Sequence, residues 1–342
     1  MRHLFYVHSP ITRLVAEAVI RHRELDPKRV YWLTDRGQQV QARSPRYMRD
    51  VSHLKWGPLR DTARNYANLR YLDEWVAGPS GTQRFTFYAP HHLTPTLQAV
   101  FSSPNCVRYC YLEEGIGAYA THAQQEAAFP AAKAGLAQRS ANYLKYRGRI
   151  GTERVFYDPF DLRFFNAYGL HASVFPDLPR KTILPLPFPV DPRLAHYEHV
   201  LALGPQAEYR MYPADGQRAI IEALLRRLID QGITELHIKF HPRQLASDGQ
   251  ANQLRALFDG YRDRIAVAEI DPSVSLESIA ASSDAAFYTA ASSAGFYALL
   301  CGNPVFSYAN LMAARDARYA AILQRMPALF LAQAQFLALP DL

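Results

Sequence analysis

Short apolar runs and amphipathic stretches alternate along almost the whole chain. Residues 3–7 read as a buried strand, and residues 11–23 as a helix with Leu14, Val15, Ala18 and Val19 on one face. Residues 29–34 predict a second strand. The strand-then-helix order returns at 85–88 and 94–101, and Cys106–Leu112 predicts a further strand. In the second half, residues 200–203 predict a strand and 217–230 a helix whose buried face carries Ile220, Ile221, Leu224, Leu225 and Leu228. Gly232 stops that helix, and 234–240 predict the next strand. Alternation of this kind predicts an α/β fold, with parallel sheets covered by helices on both faces.

Between the two halves lie Pro176, Pro179, Pro185, Pro187, Pro189 and Pro192, six of the 23 prolines within 17 residues. No helix or central strand tolerates that density, so the segment predicts either a long surface loop or a semi-rigid linker between two domains. The similar patterning on either side favours the linker. Residues 285–314 form the longest stretch without charge, but Ser292, Ser293, Gly295, Gly302, Asn303, Pro304 and Asn310 interrupt it. A membrane span needs about 20 mostly apolar residues in one run. The stretch therefore predicts buried strand, turn, helix and strand. The apolar run near the start is too short for a signal peptide, and Ser9-Pro10 ends it.

The chain has 342 residues, 49% hydrophobic and 12% aromatic, which excludes disorder and suits two packed cores. Three cysteines, Cys106, Cys110 and Cys301, are an odd number and match no zinc spacing, which predicts a reducing compartment. The net charge of +7 favours acidic partners. No basic block and no interleaving of aromatic with basic residues supports nucleic acid, so none is expected.

Three constellations could carry chemistry. The first is Tyr111-Leu112-Glu113-Glu114-Gly115-Ile116-Gly117, at and beyond the end of the predicted strand Cys106–Leu112. Adjacent carboxylates there suit a general base, because close like charges raise one carboxyl pKa; a solvated acidic turn fits the segment equally. Its Gly-x-Gly-x-x-Ala pattern is discounted as a dinucleotide fingerprint, since the two acids would repel a pyrophosphate. The second is Lys239-Phe240-His241-Pro242-Arg243, where strand alternation puts Lys239 and His241 on one face and Pro242 ends the strand. Two cations and an imidazole suit a phosphate leaving group. The third is Ser292-Ser293 before a short helix, which caps that helix and also offers an anion site. Upstream, Glu277 is either an ordinary first-turn acid or an acceptor for a ribose diol. His91-His92 and His196-x-x-His199 lack a third metal ligand. The absence of Asp-x-Asp, P-loop and Gly-x-Ser-x-Gly patterns leaves metal-bridged diphosphate, NTPase and hydrolase-elbow chemistry without support.

Taken in order, Glu-Glu-Gly, Lys-x-His-Pro, the later Glu277 and Ser-Ser resemble the motifs of bacterial sialyltransferases and polysialyltransferases of the GT-B fold. His8-Ser9-Pro10-Ile11 also resembles the Thr-Pro-Leu opening of the lipooligosaccharide branch. The resemblance implies two Rossmann-like, doubly wound domains facing across a cleft, with residues 1–185 on the acceptor side and 186–342 binding a CMP-sugar. It implies Glu113 as general base, with Glu114 as the fallback. His241 becomes the general acid on the CMP phosphate, with Lys239, Pro242 and Arg243 beside it. Ser292 and Ser293 would bind that phosphate and Glu277 the ribose. The product would be a sialylated or related glycan or glycolipid, made without metal or other cofactor. The site of action would be cytoplasmic, peripheral at the inner membrane, where the basic balance helps. CMP-Kdo transfer is the runner-up. A non-catalytic GT-B-like glycan- or nucleotide-binding subunit is the rival, favoured if Glu113 or His241 is turned into a domain core.

Overall fold

All the strand pairings in the computed structural model are parallel, as the alternating pattern predicts. The structure describes residues 1–78, 81–128, 135–151, 156–158, 160–246 and 248–339. They fall into two units, Met1–Pro187 and Phe188–Leu342.

The first unit holds a seven-stranded sheet of β1 (Arg2–Val7), β2 (Val30–Thr34), β3 (Met48–Asp50), β4 (Phe85–Ala89), β5 (Cys106–Leu112), β6 (Phe164–Gly169) and β7 (Lys181–Ile183), in the order β3-β2-β1-β4-β5-β6-β7. The second holds a six-stranded sheet of β8 (His199–Ala202), β9 (Glu235–Lys239), β10 (Ala266–Glu269), β11 (Ala286–Thr289), β12 (Val305–Ser307) and β13 (Gln335–Phe336), in the order β10-β9-β8-β11-β12-β13. Both follow the Rossmann strand order, which reverses beside the first strand of each sheet. Ligands bind such sheets beyond the carboxyl ends of the strands, near that reversal. The reversal lies between β1 and β4 in one unit and between β8 and β11 in the other.

Strands covered on both faces need apolar side chains pointing both ways. Leu4 to Val7 on β1 and Tyr109 to Leu112 on β5 are accordingly all buried. The helix Pro10–His22 starts on a reciprocal cap between Ser9 and Thr12 and buries Val15 and Val19 against the sheet. The helix Ala214–Asp230 buries the Ile220, Ile221, Leu224, Leu225 and Leu228 face. The uncharged stretch resolves into β11, the helix Ser293–Leu300 and β12. Among the described residues no helix is long and apolar enough to cross a membrane.

The proline-rich segment is not all linker. Its middle forms the edge strand β7, flanked by Pro179 and Pro185, and the boundary between the units follows Pro187. Proline lacks a backbone donor, and an edge strand bordered by prolines keeps pairing on one side only.

Candidate active site

In the first unit, the residues just beyond the ends of β1, β4 and β5 meet. His8 follows β1, His91 follows β4 and Glu114 follows β5. The Ser9–Thr12 cap fixes the chain leaving β1, and the His8 backbone N–H also donates to Thr12 Oγ1 at 3.3 Å. His8 Nε2 stands 3.2 Å from Glu114 Oε2, and His91 Nε2 stands 3.7 Å from the same oxygen. The His91 Nδ1 accepts from the Leu93 N–H at 3.2 Å, so its ring proton sits on Nε2, facing Glu114. Burial works to raise the Glu114 pKa, but His91, His8 and Arg36 together outweigh it and hold the carboxyl below its ordinary value. Both imidazoles use Oε2. Among the described residues, nothing hydrogen-bonds Oε1.

Its neighbour has the opposite surroundings. Glu113 is wholly buried, with Oε1 accepting from the Tyr119 hydroxyl at 2.9 Å and Oε2 from the Leu170 N–H at 2.6 Å. Its own N–H continues the ladder to Tyr168 O at 3.0 Å. Glu113, expected from the resemblance as the general base, therefore does not face open space as that role requires. The chain is still in strand register at Glu113 and turns only at Gly115, whose φ of +136° lies in the region that favours glycine. Successive strand residues point to opposite sides, so one acid goes inward and the next goes out.

In the second unit, His241 ends the segment after β9 and caps the short helix Pro242–Leu245. Its Nδ1 accepts from the Arg243 N–H at 3.1 Å, and its backbone N–H donates to Gln244 Oε1 at 2.9 Å. With Nδ1 occupied as an acceptor, the ring proton sits on Nε2. Burial pushes the His241 pKa down, which keeps the ring neutral near pH 7. Lys239 does not share its surroundings. The Lys239 ammonium donates to the carbonyls of Asp271 and Val274, at 2.5 and 2.8 Å, and pins the turn before the helix Leu276–Ser282. That replaces the expected phosphate partner with a structural one. Pro242 and Arg243 lie exposed on the first turn after His241.

Glu277 is the second residue of that helix, and burial raises its pKa despite the charge of Lys239. Ser292 caps the helix Ser293–Leu300 by accepting from the Gly295 N–H at 3.2 Å, and its hydroxyl pairs with Thr289 Oγ1 at 2.7 Å. Gly295 permits this close seat, since a Cβ there would lie 2.6 Å from Thr289 Cγ2. Ser293 opens the helix, where free N–H groups favour an anion.

No protein-family model matches the chain, and no curated protein matches its sequence. Its structure is similar to that of the sialyltransferase from Photobacterium damsela, 12% identical over 98% of this chain and 82% of that one, with a TM-score of 0.50. It is similar, too, to a structure assigned as a UDP-N-acetylglucosamine 2-epimerase from Listeria monocytogenes, 12% identical over 94% and 82%, with a TM-score of 0.50. The fold is GT-B. Two Rossmann-like α/β domains are what both the motif order and the strand order imply.

Within the GT-B fold, His8 and His91 are the residues that sequence reasoning passed over. One was quoted only for its likeness to a family opening and the other was weighed only as a metal ligand. The signal that finds them is position: each is the first histidine beyond the carboxyl end of a strand adjoining the reversal of strand order. Among the described residues no group of three His, Cys, Asp or Glu side chains is arranged to hold a metal ion.

Proposed function

We propose that the protein is an inverting glycosyltransferase that moves sialic acid or a related nonulosonic acid from a CMP-sugar to a hydroxyl of a surface glycan, on lipooligosaccharide, O-antigen or capsule. One observation carries this reading. The Glu-Glu-Gly, His-Pro, Glu277 and Ser-Ser segments all follow the carboxyl ends of parallel strands, β5, β9, β10 and β11, in sheets of Rossmann order. The sialyltransferase among the proteins of similar fold supports the same choice, and the epimerase supports the wider class of nucleotide-sugar ligands.

In this reading Glu114, not Glu113, is the base. Its Oε1 accepts the proton of the acceptor hydroxyl while that oxygen attacks the anomeric carbon, and the bond to the CMP phosphate breaks on the opposite side. His241 donates a hydrogen bond from Nε2–H to the departing phosphate oxygen. Its capping role at Nδ1 makes it a donor more naturally than a full proton source. Ser292, Ser293 and the N–H groups they precede hold the phosphate, and Glu277 accepts from the ribose. CMP leaves with fewer charges than a nucleoside diphosphate, so these donors take the place of a metal. The basic balance suits an anionic donor and a peripheral position at an anionic membrane surface.

A second reading, the non-catalytic binding subunit, draws support from the burial of Glu113. A panel of CMP-N-acetylneuraminic acid, CMP-Kdo and UDP-N-acetylglucosamine separates the two, with release of nucleotide as the readout. We expect CMP release from the nonulosonic donor, undiminished by EDTA. Preference for CMP-Kdo would move the protein to that class, binding of a CMP-sugar without turnover would make it the non-catalytic subunit, and no binding of any CMP-sugar would defeat the proposal.

A further inference from the structure

The helix Leu136–Tyr146 turns a largely apolar stripe outward. At a period of 3.6 residues, Leu136, Ser140, Tyr143 and Leu144 share one side of it, and all four are exposed. Leu136 is 84% exposed, Tyr143 66% and Leu144 59%. Tyr146, at the end of the helix, is buried instead, with its ring edge-on to that of Trp56 at 5.9 Å. The helix therefore keeps an inner anchor while its largest apolar side chains meet solvent. The short helix Leu59–Asp61 packs against it, and Leu59 is 48% exposed. The Tyr66 hydroxyl donates to the Leu144 carbonyl and joins the two segments. Exposed apolar groups gathered on one face mark a surface that another body covers.

The charge around this face is nearly all of one sign. Residues 127–152 contain five Lys or Arg and no Asp or Glu. Residues 51–72, which supply the neighbouring segment, contain four Lys or Arg and a single acid, Asp61, which Arg64 already pairs at 2.6 Å. Arg60 and Arg147 are exposed. The Arg147 guanidinium lies over the Tyr66 ring at 4.3 Å, and the Lys145 ammonium over the Tyr146 ring at 4.4 Å. A ring face holds a cation without cancelling its charge. Trp56 ties the face to the carboxyl edge of the first sheet. Its Nε1–H donates at 2.9 Å to Thr96 Oγ1, in the first turn of the helix Pro95–Phe101 that follows β4. His91 stands between that strand and that helix.

We propose that this face docks on an anionic membrane surface: Leu59, Leu136, Tyr143 and Leu144 enter the headgroup layer, and Arg60, Lys145 and Arg147 meet lipid phosphates. Two other occupants fit less well. A second copy of the chain would bring like charges together across a two-fold contact. A nucleic acid would answer the cations and leave the leucines in water. The proposal deepens the reading of a transferase acting on a glycolipid and rests on that reading for the purpose of docking. A membrane-borne hydroxyl would then be presented at the edge of the sheet where Glu114 lies.

Co-sedimentation of the full chain with lipid vesicles tests it without any sugar nucleotide, so its failure leaves the donor reading standing. The wild type should bind vesicles of phosphatidylglycerol mixed with phosphatidylcholine, and not vesicles of phosphatidylcholine alone. Raising the salt should release it. Arg60→Gln combined with Arg147→Asn should weaken binding about twentyfold, since each cation near an anionic surface contributes about fivefold. Asparagine suits position 147, where φ is +51°. Leu136→Ser combined with Leu144→Ser should weaken binding about tenfold or more. Melting temperatures matching the wild type show that both double variants fold, as exposed positions allow. Wild-type binding that is absent, equal for neutral and anionic vesicles, or unmoved in either double variant overturns the proposal. So does a complex with a single-stranded oligonucleotide formed in place of vesicle binding, or a dimer in sedimentation that the double leucine variant disperses.

Discussion

The two sheets share a strand order and differ at their carboxyl ends. In the first unit, Glu114 is met by two imidazoles at one oxygen and kept ionised, and among the described residues its other oxygen takes no hydrogen bond. In the second, the histidine caps a helix and the lysine holds two carbonyls. The fold supplies the same location twice. Local hydrogen bonds then make the two locations different: one presents a carboxylate beside two imidazoles, the other a neutral, helix-capping imidazole. In the proposed reading, the work of base and of donor binding is divided between the units by these bonds, not by the sheets.

The strongest way to break that comparison is to neutralise the two adjacent acids separately. Glu114→Gln removes the open carboxylate oxygen's basicity and should cut turnover about 10²–10⁴-fold, the usual cost of losing a general base. Its melting temperature should stay near wild type. Glu113→Gln should do the reverse. It replaces a charged acceptor of two buried hydrogen bonds, which costs about 1.5–3 kcal/mol of stability, and leaves turnover per folded molecule nearly intact. Steady-state release of CMP and thermal melting, measured on both variants, decide it. A Glu113→Gln variant that is stable but inactive would return the base to Glu113 and dissolve the contrast drawn here.

Acid should separate the units next. His92 is packed among Phe101, Tyr109 and Tyr111, and burial pushes its pKa down to about 3; burial also pushes His3 down to about 4. Each stays neutral in the folded state where the unfolded chain takes up a proton. Their stabilisation is complete above about pH 6.5 and is lost as pH falls through that value toward 4 and 3. Glu114, with its pKa also depressed, adds a further loss below the ordinary carboxylate range. Stability should therefore be flat from pH 8 to 7 and decline below 6.5, with the first unit opening before the second. Hydrogen exchange resolved by segment tests the order, and His92→Phe should flatten the decline. Second-unit amides exchanging first would contradict it.

How much of this was legible in the sequence depends on how far away the deciding partner lies. β5 and the apolar face of helix Ala214–Asp230 were readable because their signals are local: a run of apolar residues, and a period of 3.6. The placing of the motif segments at strand ends was readable for the same reason. Which glutamate turns inward was not, because the Glu113 oxygens are claimed by Tyr119 and by the distant Leu170 N–H. Lys239 was misread as a phosphate ligand since its acceptors, the carbonyls of Asp271 and Val274, belong to a turn beyond β10. His8 and Glu114 come together only when β1, β4 and β5 lie side by side. The strands β3 and β10 gave little signal, being three and four residues long and largely exposed. Edge strands carry few buried side chains, so their pattern is weak.

The smallest effect should come from the two serines, and it sharpens the account of the second unit. Both were assigned to the phosphate, yet the Ser292 hydroxyl already caps the helix and pairs with Thr289 Oγ1. Removing an N-cap hydroxyl costs about 1 kcal/mol. Ser292→Ala should therefore lower the melting temperature by a few degrees and weaken CMP several-fold, because a frayed first turn no longer aims its N–H groups. Ser293 stands one position later, within the helix, where substitution by alanine is favourable for helix formation. Ser293→Ala should leave the melting temperature unchanged and still weaken CMP if its hydroxyl reaches the phosphate. Melting curves with calorimetry on each variant separate the roles. If Ser293→Ala leaves CMP affinity untouched, the helix N–H groups hold the anion without that hydroxyl, and Ser292 serves them only as their cap.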